Sequence, residues 1–316
     1  MKKTILASIV LASTAVAQSL TATPGNTVTQ LFQTASNQVV AGMDFDASQN
    51  VFYLLQTNST TQLVRRNAAD AYSAATTLFD FGAPVFGSFV RLSGQTLYFG
   101  ENSLGSVRKY DLANSTSSLL ATVIGNYDLD ISGGFGWLSA NPGAATFATQ
   151  NEVVKLNLST GATTTLLTTT DYSGPVALDT AGSLYYGATQ YGVGGDIFKY
   201  TAAELAVGGL VLDAGHKFRD NVNNADFTLP EGSPALFTTD YSGIFREELG
   251  AVPNAQTWAT STHTIGFLAN SGGAIFASVT DYSANRSAVF AVVPEPATAS
   301  LLALAAGLLG FRRRGK

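Results

Sequence analysis

The sequence predicts an all-β fold, a six-bladed β-propeller, on the basis of three observations. Charged residues make up only 12% of the 316 residues, while Gly, Thr, Ser and Ala are abundant, which favours short strands and tight turns over helices. A hairpin pattern recurs six times at intervals of about 39 to 50 residues, the period of four-stranded propeller blades. The last repeat lacks a strand, and an unpaired strand near the N-terminus would supply it.

The repeated hairpin is a tight turn followed by an aromatic or aliphatic strand. Gly stands at the turn in five copies and Asn50 takes its place in the first, because both residue types accept the positive φ of a tight hairpin. An amphipathic third strand and a Thr-rich or aliphatic fourth strand then follow, with 210–212 as the fourth strand of the fourth repeat. The turns are expected at residues 50, 94, 143, 182, 232 and 273.

The sixth repeat has three strands, because the chain runs from Val293 directly into a tail of different composition. Residues 27–32 have the Thr-rich, aliphatic pattern of a fourth strand. If they pair with the last repeat, the ring closes and no long sheet edge is exposed. A β-sandwich or a β-helix is the alternative fold. A sandwich requires no such period, and the shorter period of a β-helix is absent.

The N-terminus has the three-part layout of a secretory signal peptide. Residues 1–3 form a positive start, and residues 4–16 form an apolar helix too short to remain as a membrane span. Ala15 and Ala17 are small residues of the kind that a signal peptidase accepts before its cleavage site. Cleavage after Ala17 would make Gln18 the first residue of the mature chain. An N-terminal core helix is the alternative.

The C-terminus combines a motif, an apolar helix and a basic end. The motif is Val293-Pro294-Glu295-Pro296, whose prolines lack an N–H donor and cannot enter a helix interior. Residues 297–311 are uncharged and would form a helix of about 22 Å, shorter than the ~30 Å hydrocarbon core of a bilayer. The cationic stop Arg312-Arg313-Arg314 should stay cytoplasmic, which leaves the body of the protein outside.

This order of motif, short apolar helix and terminal arginines resembles the PEP-CTERM sorting domain of exopolysaccharide-producing Gram-negative bacteria. The resemblance covers about the last 25 residues. It implies recognition by an exosortase, a membrane enzyme resembling a transpeptidase that cuts near Pro294-Glu295-Pro296. It also implies transient anchoring in the inner membrane and delivery to the cell surface or extracellular matrix. An ordinary C-terminal membrane anchor is the alternative. We therefore expect a signal peptide at 1–17, a propeller at 18–292 and a sorting tail at 293–316.

Composition and missing motifs exclude several function classes. The net charge is −5 with no basic stripe, which argues against nucleic acid as a partner. The chain has no Cys, so disulfides and thiolate metal sites are excluded. A Gly-x-Ser-x-Gly elbow, a His-Glu-x-x-His motif and a phosphate-binding glycine loop before a helix are all missing. No catalytic residue and no cofactor is therefore assigned.

Three sets of polar residues remain as candidates. The repeated Thr-Asp-Tyr-Ser at 170–173, 239–242 and 280–283 fits a polar turn better than a ligand-binding rim. The stretch 216–221, beginning with His216, is interpreted as a solvated loop rather than a site for a catalytic base. Carboxylates on or beside the first strands could hold a hard cation such as Ca²⁺; these are Asp44, Asp46, Asp128, Asp130, Asp179 and Asp226.

Two functional hypotheses follow. The first is a non-enzymatic surface or matrix protein whose propeller binds exopolysaccharide or another surface protein, with the site among the long loops on one face. The second is a periplasmic or extracellular hydrolase or lactonase with a metal in the channel. Three channel carboxylates and an Asn converging at metal-ligand distances would favour the enzyme. A channel filled by apolar or small side chains, with aromatic side chains on the long-loop face, would favour the binding protein.

Overall fold

The computed structural model describes residues 18–142, 151–169, 174–190, 194–220, 224–250 and 255–295. Regular structure in these ranges is almost entirely β-strand, apart from a short helix, α1 (Ala202–Val207), and a 3-10 turn at Ala68–Asp70. The fold is an all-β propeller, as the composition and the repeat predict.

The strands form antiparallel units of four, which we number 1 to 6 along the chain. Unit 1 contains β3 (Gln38–Phe45), β4 (Val51–Thr57), β5 (Thr61–Arg66) and β6 (Ala75–Asp80). Unit 2 contains β7 (Gly87–Ser93), β8 (Thr96–Glu101), β9 (Ser106–Asp111) and β10 (Thr116–Thr122). Unit 3 contains β11 (Asn126–Ser132), β12 (Phe135–Ala140), β13 (Asn151–Asn157) and β14 (Thr163–Thr169).

The second half of the chain repeats this arrangement. Unit 4 contains β15 (Val176–Leu178), β16 (Leu184–Gln190), β17 (Gly194–Tyr200) and β18 (Lys217–Arg219). Unit 5 contains β19 (Asp226–Thr228), β20 (Ala235–Thr239), β21 (Gly243–Glu248) and β22 (Ala255–Ser261). Unit 6 contains β23 (Thr264–Ser271), β24 (Ala274–Asp281), β25 (Arg286–Pro294) and the N-terminal β2 (Asn26–Gln33), and β1 (Leu20–Ala22) adds a fifth strand to unit 5.

The N-terminal segment ties two units together. Strand β2 pairs with β25, with Asn26 opposite Pro294 and Gln33 opposite Ala288, so the predicted pairing of residues 27–32 with the last repeat is present. Strand β1, which the sequence did not predict, pairs with β22 of unit 5. Strand β25 continues through Val293 and Pro294, two residues beyond the expected end of the propeller.

The number of hydrogen-bonded sheets differs from the six separate blades that the sequence predicts. The described strands form five sheets: three of four strands, one of five and one of eight. The eight-stranded sheet arises because one parallel pair, Arg286 with Gln38, joins unit 6 to unit 1. The predicted signal helix and the predicted C-terminal helix lie outside the described residues.

Two predicted strands are corrected. The turn between the first and second strands of unit 3 lies at Gly133 and Gly134, whereas the sequence placed it at Gly143, which lies outside the described residues. Both glycines have positive φ, so the turn chemistry was right and its position was wrong. In unit 4 the fourth strand is β18 and not 210–212. Leu210 instead makes an isolated parallel bridge to Leu167 of unit 3, because α1 carries the chain across that edge.

The positive φ of the predicted turns falls mostly on glycine. Gly94, Gly182 and Gly232 have φ of 59°, 77° and 69°. In the first repeat the left-handed residue is Gln49, with φ 62°, and not Asn50. Gly42 marks a close approach between inner strands, because a Cβ there would lie 2.9 Å from backbone atoms of Phe89.

The hydrophobic core lies between the units rather than within one layer. Six apolar clusters of described residues are found, each formed by side chains of two neighbouring units. At the closure between units 6 and 1, Phe45 and Phe276 stack with centroids 3.7 Å apart. Buried aromatic rings of this kind pack at native density and hold neighbouring sheets face to face.

The first strands of the six units, β3, β7, β11, β15, β19 and β23, contact one another in turn and surround a central channel. We call the end where each inter-unit link reaches a first strand the link face. The opposite end, where first and second strands are joined, is the turn face. Antiparallel pairing puts Ser261, Asp281 and Arg286 at the link face, and Ala274 and Pro294 at the turn face.

Candidate functional site

Four buried or half-buried carboxylates connect the first strands around the channel. In each, one oxygen accepts the N–H of the following residue and the other accepts an N–H from the first strand of the next unit. In each cross-unit bond an even-numbered unit donates to the odd-numbered unit before it: Leu92 N to Asp44 at 2.7 Å, Val176 N to Asp128 at 2.9 Å, Leu178 N to Asp130 at 2.6 Å and Leu268 N to Asp226 at 2.5 Å.

One cation lies among these carboxylates. The Arg91 guanidinium on β7 donates to Asp128 Oδ1 at 2.8 Å and to the Val90 carbonyl at 3.1 Å. Its side chain is 15% exposed. Burial alone would lower the pKa of Arg91, but the four carboxylates raise it above its usual value, so Arg91 stays charged at the centre of the channel.

Burial is the main influence on the channel carboxylates. It raises the pKa of Asp44 and of Asp128 against the opposing effect of Arg91, and it raises the pKa of Asp130 to about 6. The pKa of Asp226 is raised well above its usual range, first by burial and then by the charge of Asp128. Four acidic groups around one cation therefore favour partial protonation.

A cavity of about 260 Å³ occupies the turn-face end of the channel. Its polar lining includes Asp44, Arg91, Asp130, Thr228 and Asn270. A second cavity of about 540 Å³ lies beside it under the turns of units 4 and 5, and the two share Asp130, Ile131 and Leu229. Both cavities open on the turn face. The sequence had led us to expect a site on the opposite face, among the long loops.

The channel carboxylates do not form a metal centre. Within the described ranges, no three His, Asp or Glu side chains come together as a set that could hold a metal ion. Both oxygens of each channel carboxylate already accept backbone N–H groups, and a cation, Arg91, lies among them. A hard divalent ion needs several free oxygens at 2.3–2.6 Å, so these residues do not fit Ca²⁺.

The other two predicted carboxylates have turn roles. Asp46 Oδ1 accepts the N–H groups of Ser48 and Asn50 at 2.9 and 2.8 Å. Asp179 Oδ1 accepts the N–H of Ser183 at 2.7 Å. Both stabilise the hairpin turn that follows their first strand.

The stretch from His216 is part of a sheet and not a solvated loop. His216 lies 2.8 Å from Asp213 and 3.1 Å from Glu204 of α1. These two carboxylates raise its pKa. Arg219, in β18, pairs with the buried Glu247 of unit 5 at 3.3 Å. The charges of this stretch therefore hold α1 and unit 5 against unit 4.

The repeated Thr-Asp-Tyr-Ser forms polar turns on the link face, as predicted. Asp240 Oδ1 accepts the N–H groups of Ser242 and Gly243 at 2.9 and 2.8 Å. Asp281 Oδ1 accepts the N–H of Ser283 at 3.0 Å. The copy at 170–173 lies outside the described residues.

The tyrosines of these two turns are exposed to solvent in part or for the most part. Tyr241 is 42% exposed and Tyr282 is 64% exposed. Tyr241 also has φ of 75°, a left-handed conformation that a bulky residue rarely adopts and that often accompanies function. His263 lies between them on the link from unit 5 to unit 6.

A third tyrosine lies below these turns at the link-face mouth of the channel. The Tyr127 hydroxyl donates to the Ala225 carbonyl at 2.7 Å. Burial raises the pKa of Tyr127 well above its usual value, and Tyr241, Asp226, Asp128 and Tyr282 add to that effect. We call Tyr127, Tyr241, His263 and Tyr282 the tyrosine rim.

Exposed apolar side chains concentrate on the same face. Among the described residues, five of the eight exposed large hydrophobic side chains lie in inter-unit links or in loops between second and third strands: Phe86, Leu104, Ile124, Tyr241 and Tyr282. Clustered exposed apolar groups indicate an interaction surface.

Sequence reasoning missed Arg91 and Tyr127. Arg91 carried a detectable signal, because a lone arginine follows Phe89 and Val90 in a predicted first strand and needs a buried partner there. Tyr127 carried none, since an aromatic residue in a first strand also fits a packed core position.

A family profile for a sorting signal matches the end of the chain. The chain carries a PEP-CTERM protein-sorting motif at residues 292–316. The motif indicates an exported protein that is processed by an exosortase-like membrane enzyme. Val293, Pro294 and Glu295 are described, and the first two end β25. The remaining predicted residues, Ala15, Ala17, Pro296 and Arg312-Arg313-Arg314, lie outside the described residues.

Solved structures share the fold of the body. A gluconolactonase from Xanthomonas campestris aligns with TM-score 0.62 and 12% identity over 86% of this chain and 91% of its own. A luciferin-regenerating enzyme gives 0.63 and 12% over 85% and 95%. A calcium-binding regucalcin from Agrobacterium tumefaciens gives 0.60 and 13% over 83% and 93%. At these identities the likeness is one of fold alone.

The comparison with curated proteins finds no match for this chain. No helix within the described ranges is both long and apolar enough to cross a bilayer.

Proposed function

We propose that this chain is an exported surface or matrix protein of a Gram-negative bacterium whose six-bladed propeller binds a ligand at its link face. The sorting motif at 292–316 is the single observation that carries the export part of the proposal. On this proposal the eight-stranded sheet counts as two blades, units 6 and 1, because a single described residue pair joins them. An apolar cluster lies between units 6 and 1, just as such a cluster lies between every other pair of neighbouring units.

The proposed maturation begins at the two ends. A signal peptidase removes residues 1–17 after Ala17, with Ala15 as the other recognised residue. The sorting tail, held by Arg312-Arg313-Arg314 on the cytoplasmic side, anchors the chain in the inner membrane until an exosortase-like enzyme acts at Pro294-Glu295-Pro296.

Orientation supports a ligand on the link face. Strand β25 ends at Pro294 on the turn face, so the tail, and with it the membrane, would lie below that face. The link face, with the tyrosine rim and most of the exposed apolar side chains, would then point away from the membrane. Tyrosines at a channel mouth offer flat apolar surfaces and hydroxyls together, which suits sugar rings of an exopolysaccharide or a partner protein at the surface.

Surface delivery tests the export part. Replacement of Pro294, Glu295 and Pro296 by Ala should abolish delivery, measured by surface labelling and fractionation, with the protein retained in the inner membrane. The matched control replaces Pro230 and Glu231, a Pro-Glu pair in a turn of unit 5, by Ala and should be delivered normally. Normal delivery of the triple variant would overturn the proposal.

A hydrolase or lactonase with a channel metal is the second candidate. It is favoured by the fold shared with a gluconolactonase and with regucalcin, whereas the carboxylates around the channel do not fit its metal. It requires a bound divalent ion, which elemental analysis of the purified protein would detect as about one equivalent. The commitment of those carboxylates to backbone N–H groups supports the binding protein instead.

A further inference from the structure

The start of the sorting motif belongs to a sheet. Val293 lies opposite Thr27, and Pro294 lies opposite Asn26, in the pairing of β25 with β2. The Glu295 N–H donates to the Gly25 carbonyl at 2.8 Å. The Thr27 hydroxyl approaches the Val293 carbonyl at 3.4 Å. Three residues of the motif are therefore held by the N-terminal segment of the same chain.

The alternation of backbone bonds explains how a proline is accepted in this strand. Because Glu295 N–H bonds to the Gly25 carbonyl, Asn26 and Pro294 form a non-hydrogen-bonded pair, and Thr27 with Val293 forms the next hydrogen-bonded one. The missing N–H of Pro294 therefore costs no bond to β2.

The N-terminal segment is itself anchored at several points, and we call residues 18–33 the N-terminal clasp. The Gln18 amide donates to the Arg286 carbonyl at 2.6 Å. The Thr23 N–H donates to the Trp258 carbonyl at 3.0 Å, and β1 adds three pairs to unit 5. Release of Asn26 and Thr27 from the motif would break the seam that closes the ring, so the motif residues up to Glu295 stay docked.

We infer that processing spares Val293, Pro294 and Glu295, so that the cut falls on the C-terminal side of Glu295 and the mature chain ends at Glu295 or later. This inference rests on the proposed exosortase processing. In the step, the carbonyl carbon of the last retained residue loses its bond to the next nitrogen. The same carbon forms a new bond to the oxygen or nitrogen of the acceptor, which is water, an amine or a hydroxyl group. The proton that the acceptor loses goes to the new amino terminus of the released tail. A protease-like active site binds an extended, unpaired segment, and Val293, Pro294 and Glu295 are instead held against the N-terminal segment.

The full chain, expressed in its native host, gives the direct test. The intact mass of the mature protein should correspond to a C-terminus at Glu295 or beyond. A C-terminus at Pro294 or earlier would overturn the inference. A mass that still includes residues 296–316 would overturn the processing itself, and the inference with it, which distinguishes the two failures.

Two variants test whether the clasp is the cause. Thr27→Pro removes the N–H that pairs with Val293 and should shift part of the product to a C-terminus at or before Pro294. Thr164→Pro is the matched control, because Thr164 lies in the outer strand β14 of unit 3, opposite Lys155, outside the clasp and away from the tail, and its product should keep the wild-type C-terminus. The same C-terminus in both variants would contradict the role of the clasp.

A disulfide lock supplies the converse test. Val28 and Val292 face each other two residues from the Asn26–Pro294 pair, so they form a non-hydrogen-bonded pair with the close spacing that suits a disulfide. The chain has no Cys, so the Val28→Cys, Val292→Cys variant has one bridge. The oxidised protein should be processed to the same C-terminus and extent as the reduced protein. Processing confined to the reduced form would show that the motif must leave the sheet, which overturns the inference.

Discussion

The two ends of the channel use polar and aromatic side chains in different ways. From the channel interior to the turn face, Arg91 and four aspartates are buried or half-buried, and the aspartate oxygens accept backbone N–H groups of neighbouring first strands. At the link face, Tyr241 and Tyr282 project into solvent from turns that are already satisfied by Asp240 and Asp281. The charged end therefore holds the ring together, and the aromatic end is available for a ligand.

This contrast also explains why carboxylates in the channel are a poor guide to catalysis here. The described first strands of neighbouring units are not paired with each other as strands of one sheet. An aspartate that accepts an N–H from the next unit supplies a hydrogen bond between two such strands. A buried ion pair is costly to break, because removal of one partner leaves an uncompensated buried charge. Substitutions at the charged end should consequently change the free energy of unfolding. Substitutions at the aromatic end should change ligand affinity.

The largest effect is expected from Arg91→Met. The variant leaves four carboxylates without their counter-charge, and it should lower the free energy of unfolding by about 3 kcal/mol or more. Urea unfolding followed by circular dichroism measures the change. Arg108→Met is the control, because Arg108 stacks on Phe79 at a half-buried position 4.6 Å away, and its loss should cost about 0.5–1 kcal/mol. Equal losses in the two variants would contradict a structural role for the channel charges.

A smaller effect is expected from pH. The pKa of Asp130 is about 6 in the folded protein, whereas in the unfolded chain it is close to 4. Between these values the folded state binds more protons, so the stabilising contribution of Asp130 is complete below about pH 4 and is lost as pH rises through 6, by at most roughly 3 kcal/mol.

Asp130→Asn sharpens this test. The variant should flatten the decline between pH 4 and 6, because its side chain does not titrate. Exposed carboxylates with a lowered pKa, such as Asp80 and Asp111, change the stability only below about pH 4. The change in stability between pH 4 and 6 therefore comes from the channel carboxylates. A decline of the same steepness in Asp130→Asn would contradict the assignment. Melting temperatures across the pH series provide the measurement.

Much of the fold could be predicted from the sequence because the repeat has a strong local signature. Turn glycines such as Gly94 and Gly232 need positive φ whatever surrounds them, and residues 27–32 had no other partner in the chain. The third turn was misplaced because Gly133-Gly134 and Gly143 carry the same local signal, and only pairing decides between them. Strand β18 was missed because its Lys pairs with Asp196 of the neighbouring strand and its Arg with Glu247 of unit 5, which no local pattern reveals.

The site was less predictable for a related reason. Asp44, Asp128, Asp130 and Asp226 were correctly placed on first strands, yet their bonds to the next unit depend on a spacing of 42 to 48 residues along the chain. The exposure of Tyr241 and Tyr282 depends on how two turns of different units meet at one mouth. Contacts of this range arise from the closed ring and cannot be read from a window of sequence.

Ligand binding at the tyrosine rim tests the account most directly. Isothermal titration of the purified mature protein with exopolysaccharide from the producing bacterium should show binding. Tyr241→Ala with Tyr282→Ala should weaken it about tenfold or more, since each aromatic contact contributes about 0.5–1.5 kcal/mol. Leu119→Ala, at an exposed side chain on the outer strand of unit 2, should bind as the wild type does. Undiminished binding by the double tyrosine variant would contradict the account.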